Sequence, residues 1–154
     1  MKIGFMLPQF GAMATHENVL SMAQLAEEQG FESVWAADHV IMPTRISTPY
    51  PYSKSGEYVA DPKGAHLEPF TILSFVAGCT RRIRLGFTVI VAPYRNPIVT
   101  GKMMASLDVL SNGRLVVGVG AGWLEEEFQA LEVSFAKRWA RTEEHIRIWK
   151  ELWT

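Results

Sequence analysis

The chain has 154 residues, 48% of them hydrophobic, which is enough for one ordinary domain with a buried core. Its 15 basic and 16 acidic residues give a formal net charge of −1, so no strong field attracts nucleic acid or an anionic membrane. The one cysteine, Cys79, excludes an intramolecular disulfide, and no apolar run approaches the roughly 20 residues that span a bilayer. We predict a cytoplasmic single domain over 1–154, with neither nucleic acid nor membrane as a partner.

Short β-branched apolar runs alternate along the chain with segments of helical periodicity. The predicted strands cover 3–7, 33–37, 83–91 and 115–119. The predicted helices are one that Thr15 caps and Gly30 ends, and four more over 69–80, 96–110, 124–131 and 142–153. The strands are almost continuously apolar, which indicates a parallel sheet that is covered on both faces. The predicted fold class is therefore α/β, with four βα units in the order 1-2-3-4.

Four βα units make half of a (β/α)₈ TIM barrel, which typically needs about 250 residues. Four strands cannot close into a barrel, and an open parallel sheet leaves two edges with unpaired backbone groups. We expect a truncated chain or one that a partner completes, with a homodimer as the simplest assembly.

A long connection over 40–68 follows the second predicted strand. It is rich in Pro, Tyr, Ser and Gly and has no periodicity. Connections of this length inside a compact domain are usually functional or mobile. We therefore predict an active-site loop.

Asp38 and His39 come directly after the second predicted strand. A histidine can exchange protons near neutral pH, and an adjacent carboxylate can bias its tautomer if the two side chains meet. Neighbours on a strand point in opposite directions, so the meeting is not assured. The alternative is a helix-capping aspartate beside a surface histidine. The position at the carboxyl end of a strand favours function.

Glycines mark the third and fourth predicted strands. Gly86 lies inside an apolar strand, which suggests a bulge or a close approach to a ligand, although a plain buried strand is the alternative. The run 118–122 is glycine-rich between strand and helix and could bring backbone amides near a planar ring or a phosphate. Its spacing does not match the dinucleotide-binding pattern.

Other chemical groups have simpler interpretations. The glutamates of 125–127 begin a helix, where the helix dipole favours them without catalysis. Trp139, Trp149 and Trp153 are expected to serve packing. The sequence has neither Cys/His metal spacing nor the G-x-S-x-G motif, which argues against a metalloenzyme and a serine hydrolase.

Four ordered segments, 3–8, 30–39, 86–97 and 112–123, resemble the luciferase-like monooxygenase superfamily, specifically its deazaflavin-dependent (coenzyme F420) branch. The likeness covers essentially the whole chain as the N-terminal half of the family's TIM barrel. It implies an oxidoreductase that transfers hydride between F420 and a small organic substrate, or that uses FMN for oxygen insertion.

The resemblance also implies roles for individual residues. His39 matches the position that often supplies a proton donor, so it is the predicted catalytic residue. Thr88 and Val89 match a non-proline cis peptide in a bulge behind the cofactor ring. The predicted cofactor-binding residues are Asp38, Thr88, Val89, Val91, Gly120 and Gly122, and no metal is expected.

Trp123 departs from the family pattern, because sugar-phosphate dehydrogenases of the family carry a glutamate there. This disfavours a sugar phosphate and suits an apolar substrate. The loops after strands seven and eight, which commonly hold phosphate in TIM barrels, lie outside this sequence. We therefore expect these 154 residues alone to bind the cofactor poorly.

Two alternatives to an enzyme half-barrel stay open at this point. One is a noncatalytic half-barrel that binds or assembles through its open edges. The other is a small doubly wound α/β domain with a ligand at its switch point. Strand order separates this second alternative from a half-barrel, because a doubly wound sheet reverses its order.

Overall fold

A computed structural model of the chain describes residues 1–58 and 61–154. The described residues form four strands and five helices in βα alternation. The strands are β1 (Gly4–Met6), β2 (Ser33–Ala36), β3 (Arg84–Val91) and β4 (Leu115–Gly120). The helices are α1 (His16–Glu28), α2 (Pro69–Cys79), α3 (Pro97–Leu110), α4 (Glu125–Ala130) and α5 (Arg138–Trp153).

All four strands pair in parallel in the order β1-β2-β3-β4. This order confirms the predicted half-barrel. It also makes the doubly wound alternative wrong, because no reversal of strand order occurs in the described sheet. The carboxyl ends of the four strands lie at one edge, and this edge is where barrel enzymes hold their chemistry.

Local sequence signals set the helix ends. The Thr15 hydroxyl caps α1 by accepting from the Asn18 amide at 3.2 Å. Gly30 follows the helix with φ of 77°, a left-handed conformation that glycine adopts at little cost. The Asn96 side chain caps α3 by accepting from the amides of Ile98 and Val99.

The helices cover one face of the sheet with a continuous apolar core. Leu73 and Val76 of α2 are fully buried against this face, as are Leu85 and Phe87 of β3. The packing is as expected for strands that are apolar on both sides.

The opposite, concave face is occupied by one large side chain from β2. The indole of Trp35 lies over Gly4 of β1 and Gly86 of β3, where a Cβ on either glycine would overlap the ring. The glycine inside β3 therefore makes room for a side chain of this chain rather than for a ligand. A bulge does occur in β3, between Phe87 and Ile90.

The Thr88–Val89 peptide bond in that bulge is cis, as the family resemblance implied. Val89 is 38% exposed, although it belongs to a strand that is otherwise largely buried. The bulge thus exposes the Val89 side chain at the carboxyl edge of the sheet.

The helix α5 begins at Arg138, four residues before the predicted start at 142. Thr142 does not begin the helix; its hydroxyl donates to the Arg138 carbonyl one turn earlier, at 2.8 Å. Trp149 packs as expected and is 1% exposed, whereas Trp139 is 68% exposed, so the packing interpretation of Trp139 is wrong.

Within the predicted loop over 40–68, the described residues form no helix or strand, apart from an isolated bridge between His66 and Phe10. Two residues of this loop, Val59 and Ala60, lie outside the described residues. No helix in the described ranges is long and apolar enough to cross a membrane.

Candidate active site

A cavity of about 730 Å³ opens at the carboxyl ends of the strands. Ligand sites in proteins commonly measure about 300–1,000 Å³, so the cavity is large enough for a cofactor ring and a small substrate. His39 and all six predicted cofactor-binding residues, Asp38, Thr88, Val89, Val91, Gly120 and Gly122, line it. The fold thus brings the predicted residues together, while their roles stay predictions.

His39 is held by a glutamate that is distant in the sequence. Its Nδ1 lies 3.0 Å from Oε2 of Glu127, whose side chain is fully buried. The same carboxylate accepts from the amides of Val40 and Ile41 through Oε1. The Tyr94 hydroxyl donates to Oε2 at 2.8 Å, and burial raises the pKa of Tyr94 well above its ordinary value. Glu127 therefore joins the imidazole, the start of the loop and the turn after β3.

The hydrogen-bond partners of Glu127 define which nitrogen of His39 carries a proton. All four partners are able to donate, so an ionised carboxylate, which only accepts, satisfies every one of them. This set of donors fits a proton on Nδ1, and Nε2 faces the Tyr58 hydroxyl at 3.4 Å. Burial raises the pKa of Tyr58, which keeps its phenol neutral. His39 Nε2 is therefore the atom available for proton exchange.

Asp38 belongs to a different network. Its fully buried carboxylate binds the Arg95 guanidinium through two hydrogen bonds of 2.7 and 2.8 Å and accepts from the Val91 amide at 2.9 Å. Arg95 also reaches Glu68 at 3.0 Å. The hypothesis that Asp38 orients His39 is not supported, because Glu127 makes that contact. Asp38 instead fixes the backbone of Val91, a residue in the cavity wall.

Burial and pairing act in opposite directions on this ion pair. Burial is the largest influence on Asp38 and raises its pKa, against the effects of Arg95 and the Val91 amide. The pKa of Arg95 is raised although burial alone would lower it, because Asp38 and Glu68 favour the charged form. The bidentate geometry indicates an ionised pair, since both oxygens accept from the guanidinium fork.

The floor of the cavity is apolar and built from small residues. A Cβ on Gly120 would overlap Val89, and a Cβ on Gly122 would press against Val91 and Phe128. Both positions therefore require glycine because neighbouring side chains of this chain occupy the space that a Cβ would fill. The result is a low surface around Val89, which suits a flat ring.

Aromatic side chains form one wall of the cavity. The rings of Tyr50 and Tyr58 each lie 5.0 Å from the Trp123 ring and 4.9 Å from one another, between centroids. Such tilted contacts are favourable for aromatic pairs. Trp123 therefore packs against the loop residues Tyr50 and Tyr58 at the cavity.

Glu126, beside Glu127, holds the next part of the loop. It accepts from the amides of Ser47 and Thr48 at 2.6 and 3.1 Å and from the Thr48 hydroxyl at 2.7 Å. Burial opposes ionisation of Glu126, but these hydrogen bonds outweigh it and lower its pKa. The helix-dipole interpretation of the glutamates is therefore incomplete, because Glu126 and Glu127 bind the loop.

Sequence reasoning missed Glu127, Glu126 and Tyr94 as parts of the site. Glu127 lies 88 positions from His39 in the chain, and no local pattern indicates that contact. The apparent signal was an excess of acidic residues on a six-residue helix, which the dipole explains equally well.

No cluster of three or more metal-binding side chains is found among the described residues. A planar organic cofactor fits the cavity better, because its floor is apolar and low and its polar atoms converge at His39. The geometry defines a barrel-edge pocket with one exchangeable imidazole nitrogen.

The family model for luciferase-like monooxygenases matches residues 1–154, so the chain belongs to that family. An F420-dependent glucose-6-phosphate dehydrogenase of Amycolatopsis mediterranei is 31% identical over 165 aligned positions, covering 100% of this chain and 42% of that protein. A phthiodiolone/phenolphthiodiolone dimycocerosates ketoreductase of Mycobacterium bovis is 36% identical and covers 83% of this chain and 34% of that protein.

Among solved structures, the monooxygenase RslO1 of Streptomyces bottropensis matches with a TM-score of 0.78 at 30% identity, over 99% of this chain and 43% of that one. An F420-dependent secondary alcohol dehydrogenase in complex with an F420–acetone adduct matches with a TM-score of 0.70 at 22% identity, over 99% of this chain and 42% of that one, which shows the fold alone. The chain spans about half the length of the curated relatives it matches, or less.

Proposed function

We propose that this chain supplies the catalytic half of an oxidoreductase that transfers hydride between a deazaflavin, coenzyme F420, and an apolar organic substrate. The observation that supports the proposal is the imidazole of His39, whose Nε2 faces the cavity beside the Tyr58 hydroxyl while Nδ1 contacts buried Glu127. FMN is the alternative cofactor, since proteins of this family use either group.

The bound deazaflavin supplies or accepts the hydride. In the oxidative direction, the substrate carbon loses hydride and its hydroxyl proton passes to Nε2 of His39, leaving a carbonyl group. In the reductive direction, the Nε2 proton passes to the carbonyl oxygen as the carbon gains hydride. Buried Glu127 stabilises the imidazolium that forms in between, because its carboxylate accepts from Nδ1.

The floor residues would hold the ring. Val89 and the glycines at 120 and 122 give an apolar surface without projecting polar atoms. Tyr50, Tyr58 and Trp123 would exclude water from the opposite side of the substrate, which favours hydride transfer over side reactions. The aromatic wall supports an apolar substrate and argues against a sugar phosphate.

The test is reduction or oxidation of F420 by a complete barrel that contains this chain, with a panel of apolar secondary alcohols and ketones and with glucose 6-phosphate for comparison. We expect turnover of apolar substrates and none of the sugar phosphate. His39→Asn should lower kcat by about a hundredfold while F420 binding, followed by fluorescence titration, is retained. The control is His16→Asn, at an exposed position on α1.

Two results would contradict the proposal. One is wild-type turnover of glucose 6-phosphate in preference to the apolar panel. The other is full activity of His39→Asn. Binding of FMN in place of F420 would change the cofactor assignment and leave the role of His39 to be tested with that group.

A further inference from the structure

We infer that Glu127 is a positioning residue that holds His39 in the Nδ1–H tautomer, so that Nε2 alone exchanges protons at the cavity. The catalytic consequence rests on the proposed function, whereas the tautomer itself does not. The hydrogen bonds made by the two imidazole nitrogens decide which of them carries the proton. In His39, Nδ1 faces the buried carboxylate of Glu127.

The contacts of Glu127 leave little freedom for a different arrangement. Oε1 accepts hydrogen bonds from two backbone amides, those of Val40 and Ile41. Oε2 lies between the Tyr94 hydroxyl at 2.8 Å and His39 Nδ1 at 3.0 Å. A fully buried carboxylate needs such donors, since burying a charge without them is costly.

The nearby charged groups do not compete for the imidazole. Asp38 accepts from Arg95 and the Val91 amide, and Glu68 accepts from Nη2 of the same guanidinium. Tyr58 approaches Nε2 at 3.4 Å and can donate to it only when that nitrogen is unprotonated. The Tyr58 hydroxyl can also accept from a protonated Nε2, so the contact with Glu127 is the one that selects the tautomer.

Glutamine at position 127 should reverse this tautomer. The amide oxygen would stay on the Val40 and Ile41 amides, because both donors lie on the Oε1 side. The NH₂ group would then face His39 Nδ1 and donate to it. That nitrogen must be unprotonated to accept, so the proton would move to Nε2 and block its use as a base.

The experiment is long-range ¹H–¹⁵N NMR of the imidazole rings of the purified protein, at a pH where His39 is neutral. Two other histidines give internal references. His145 Nδ1 lies 2.9 Å from the Ala92 carbonyl and should show the Nδ1–H pattern. His66 Nε2 lies 2.9 Å from the Asp61 carbonyl and should show the Nε2–H pattern.

We expect wild-type His39 to match His145, and Glu127→Gln to convert it to the pattern of His66. The matched control is Glu125→Gln on the same helix, which removes an exposed charge whose side chain does not bind the loop and should leave His39 as in the wild type. In the active protein, Glu127→Gln should lower kcat at least tenfold with little change in KM, since the substrate contacts are retained.

A wild-type His39 that matches His66 would overturn the inference without need of any variant, even if Glu127→Gln fails to fold. An unchanged tautomer in folded Glu127→Gln would also overturn it. If the tautomer reverses but His39→Asn keeps full activity, the positioning by Glu127 stands and the proposed function fails.

Discussion

Asp38 and His39 are neighbours in the sequence but serve separate hydrogen-bond networks. The side chains of consecutive strand-end residues diverge, so Asp38 enters the packing beside Arg95 while His39 reaches the cavity and Glu127. At the scale of single residues, the two side chains of the dipeptide therefore differ: Asp38 is buried in an ion pair, and His39 faces the cavity.

We predict that the Asp38–Arg95 pair contributes to stability more than to chemistry. Arg95→Gln should destabilise the fold by about 3–5 kcal/mol, because it leaves a fully buried carboxylate without its charged partner. Asp38→Asn should cost less in the Arg95→Gln background than in the wild type. Chemical denaturation of the four members of this double-mutant cycle measures the coupling.

The comparison also tests the predicted cofactor contact of Asp38. If that contact exists, Asp38→Asn should weaken F420 binding beyond the effect of Arg95→Gln. Additive free energies of unfolding for the two substitutions would contradict the structural assignment, since they would mean that the pair is not coupled.

At the scale of secondary-structure elements, the six-residue helix α4 acts as an anchor for the loop that follows β2. The Glu127 carboxylate accepts hydrogen bonds from the backbone amides of residues 40 and 41, and the Glu126 carboxylate accepts from those of residues 47 and 48. A helix of one and a half turns has little stability of its own, so its carboxylates and the loop stabilise each other.

We predict that Glu126→Gln loosens the loop without unfolding the protein. Arg45 and Lys54 are exposed trypsin sites on either side of the contact with Thr48. Cleavage at these sites should become about tenfold faster, because hydrogen bonds to a charged group are worth roughly 1.5–3 kcal/mol. The matched control is Glu125→Gln, whose backbone amide, but not its side chain, contacts Thr48.

The same contact has a defined pH dependence. The folded-state pKa of Glu126 is lowered, so its contribution is complete above the ordinary glutamate value and is lost only as pH falls through the lowered value. At each pH down to mildly acidic values, the wild type should therefore be cleaved more slowly than Glu126→Gln by the same trypsin. Equal cleavage rates for Glu125→Gln and Glu126→Gln would contradict the anchoring role.

The sequence predicts the elements well because their signals are local. Thr15, Asn96 and Gly30 set helix ends through contacts within a few residues, and the observed strands lie within one or two positions of the predicted ones. Glu127 lies 88 positions from His39 and Arg95 lies 57 positions from Asp38, so these contacts leave no periodic trace. Those contacts exist only after the strand ends have been brought together.

At the scale of the whole molecule, the half-barrel leaves apolar surface at both outer strands. Beside β4, Met104, Val109, Leu115 and Trp153 line a groove, and in β1 Met6 is 49% exposed. Within the described residues β1 and β4 each pair on one side only. Exposed apolar patches next to unpaired strand edges favour association with another polypeptide.

We predict that residues 1–154, prepared alone, self-associate through this groove. The net charge of −1 offers little repulsion between copies. Val109→Lys, at a 75% exposed position on the groove rim, should weaken the association at least about tenfold in sedimentation velocity, because the contact would have to desolvate the lysine charge. Val99→Lys, exposed on the same helix but outside the groove, is the control.

A monomer at all concentrations would contradict this prediction. Association that both lysine variants leave unchanged would place the contact elsewhere on the molecule.

The indole of Trp35 above Gly4 and Gly86 makes three strands dependent on one another in the history of the sequence. While the tryptophan is present, any side chain at either glycine overlaps the indole, so a substitution there should destabilise the fold. A smaller residue at position 35 would lift the restriction on both glycines at once and leave a void to be filled. The order in which these three positions can change is therefore constrained: position 35 must change before either glycine can.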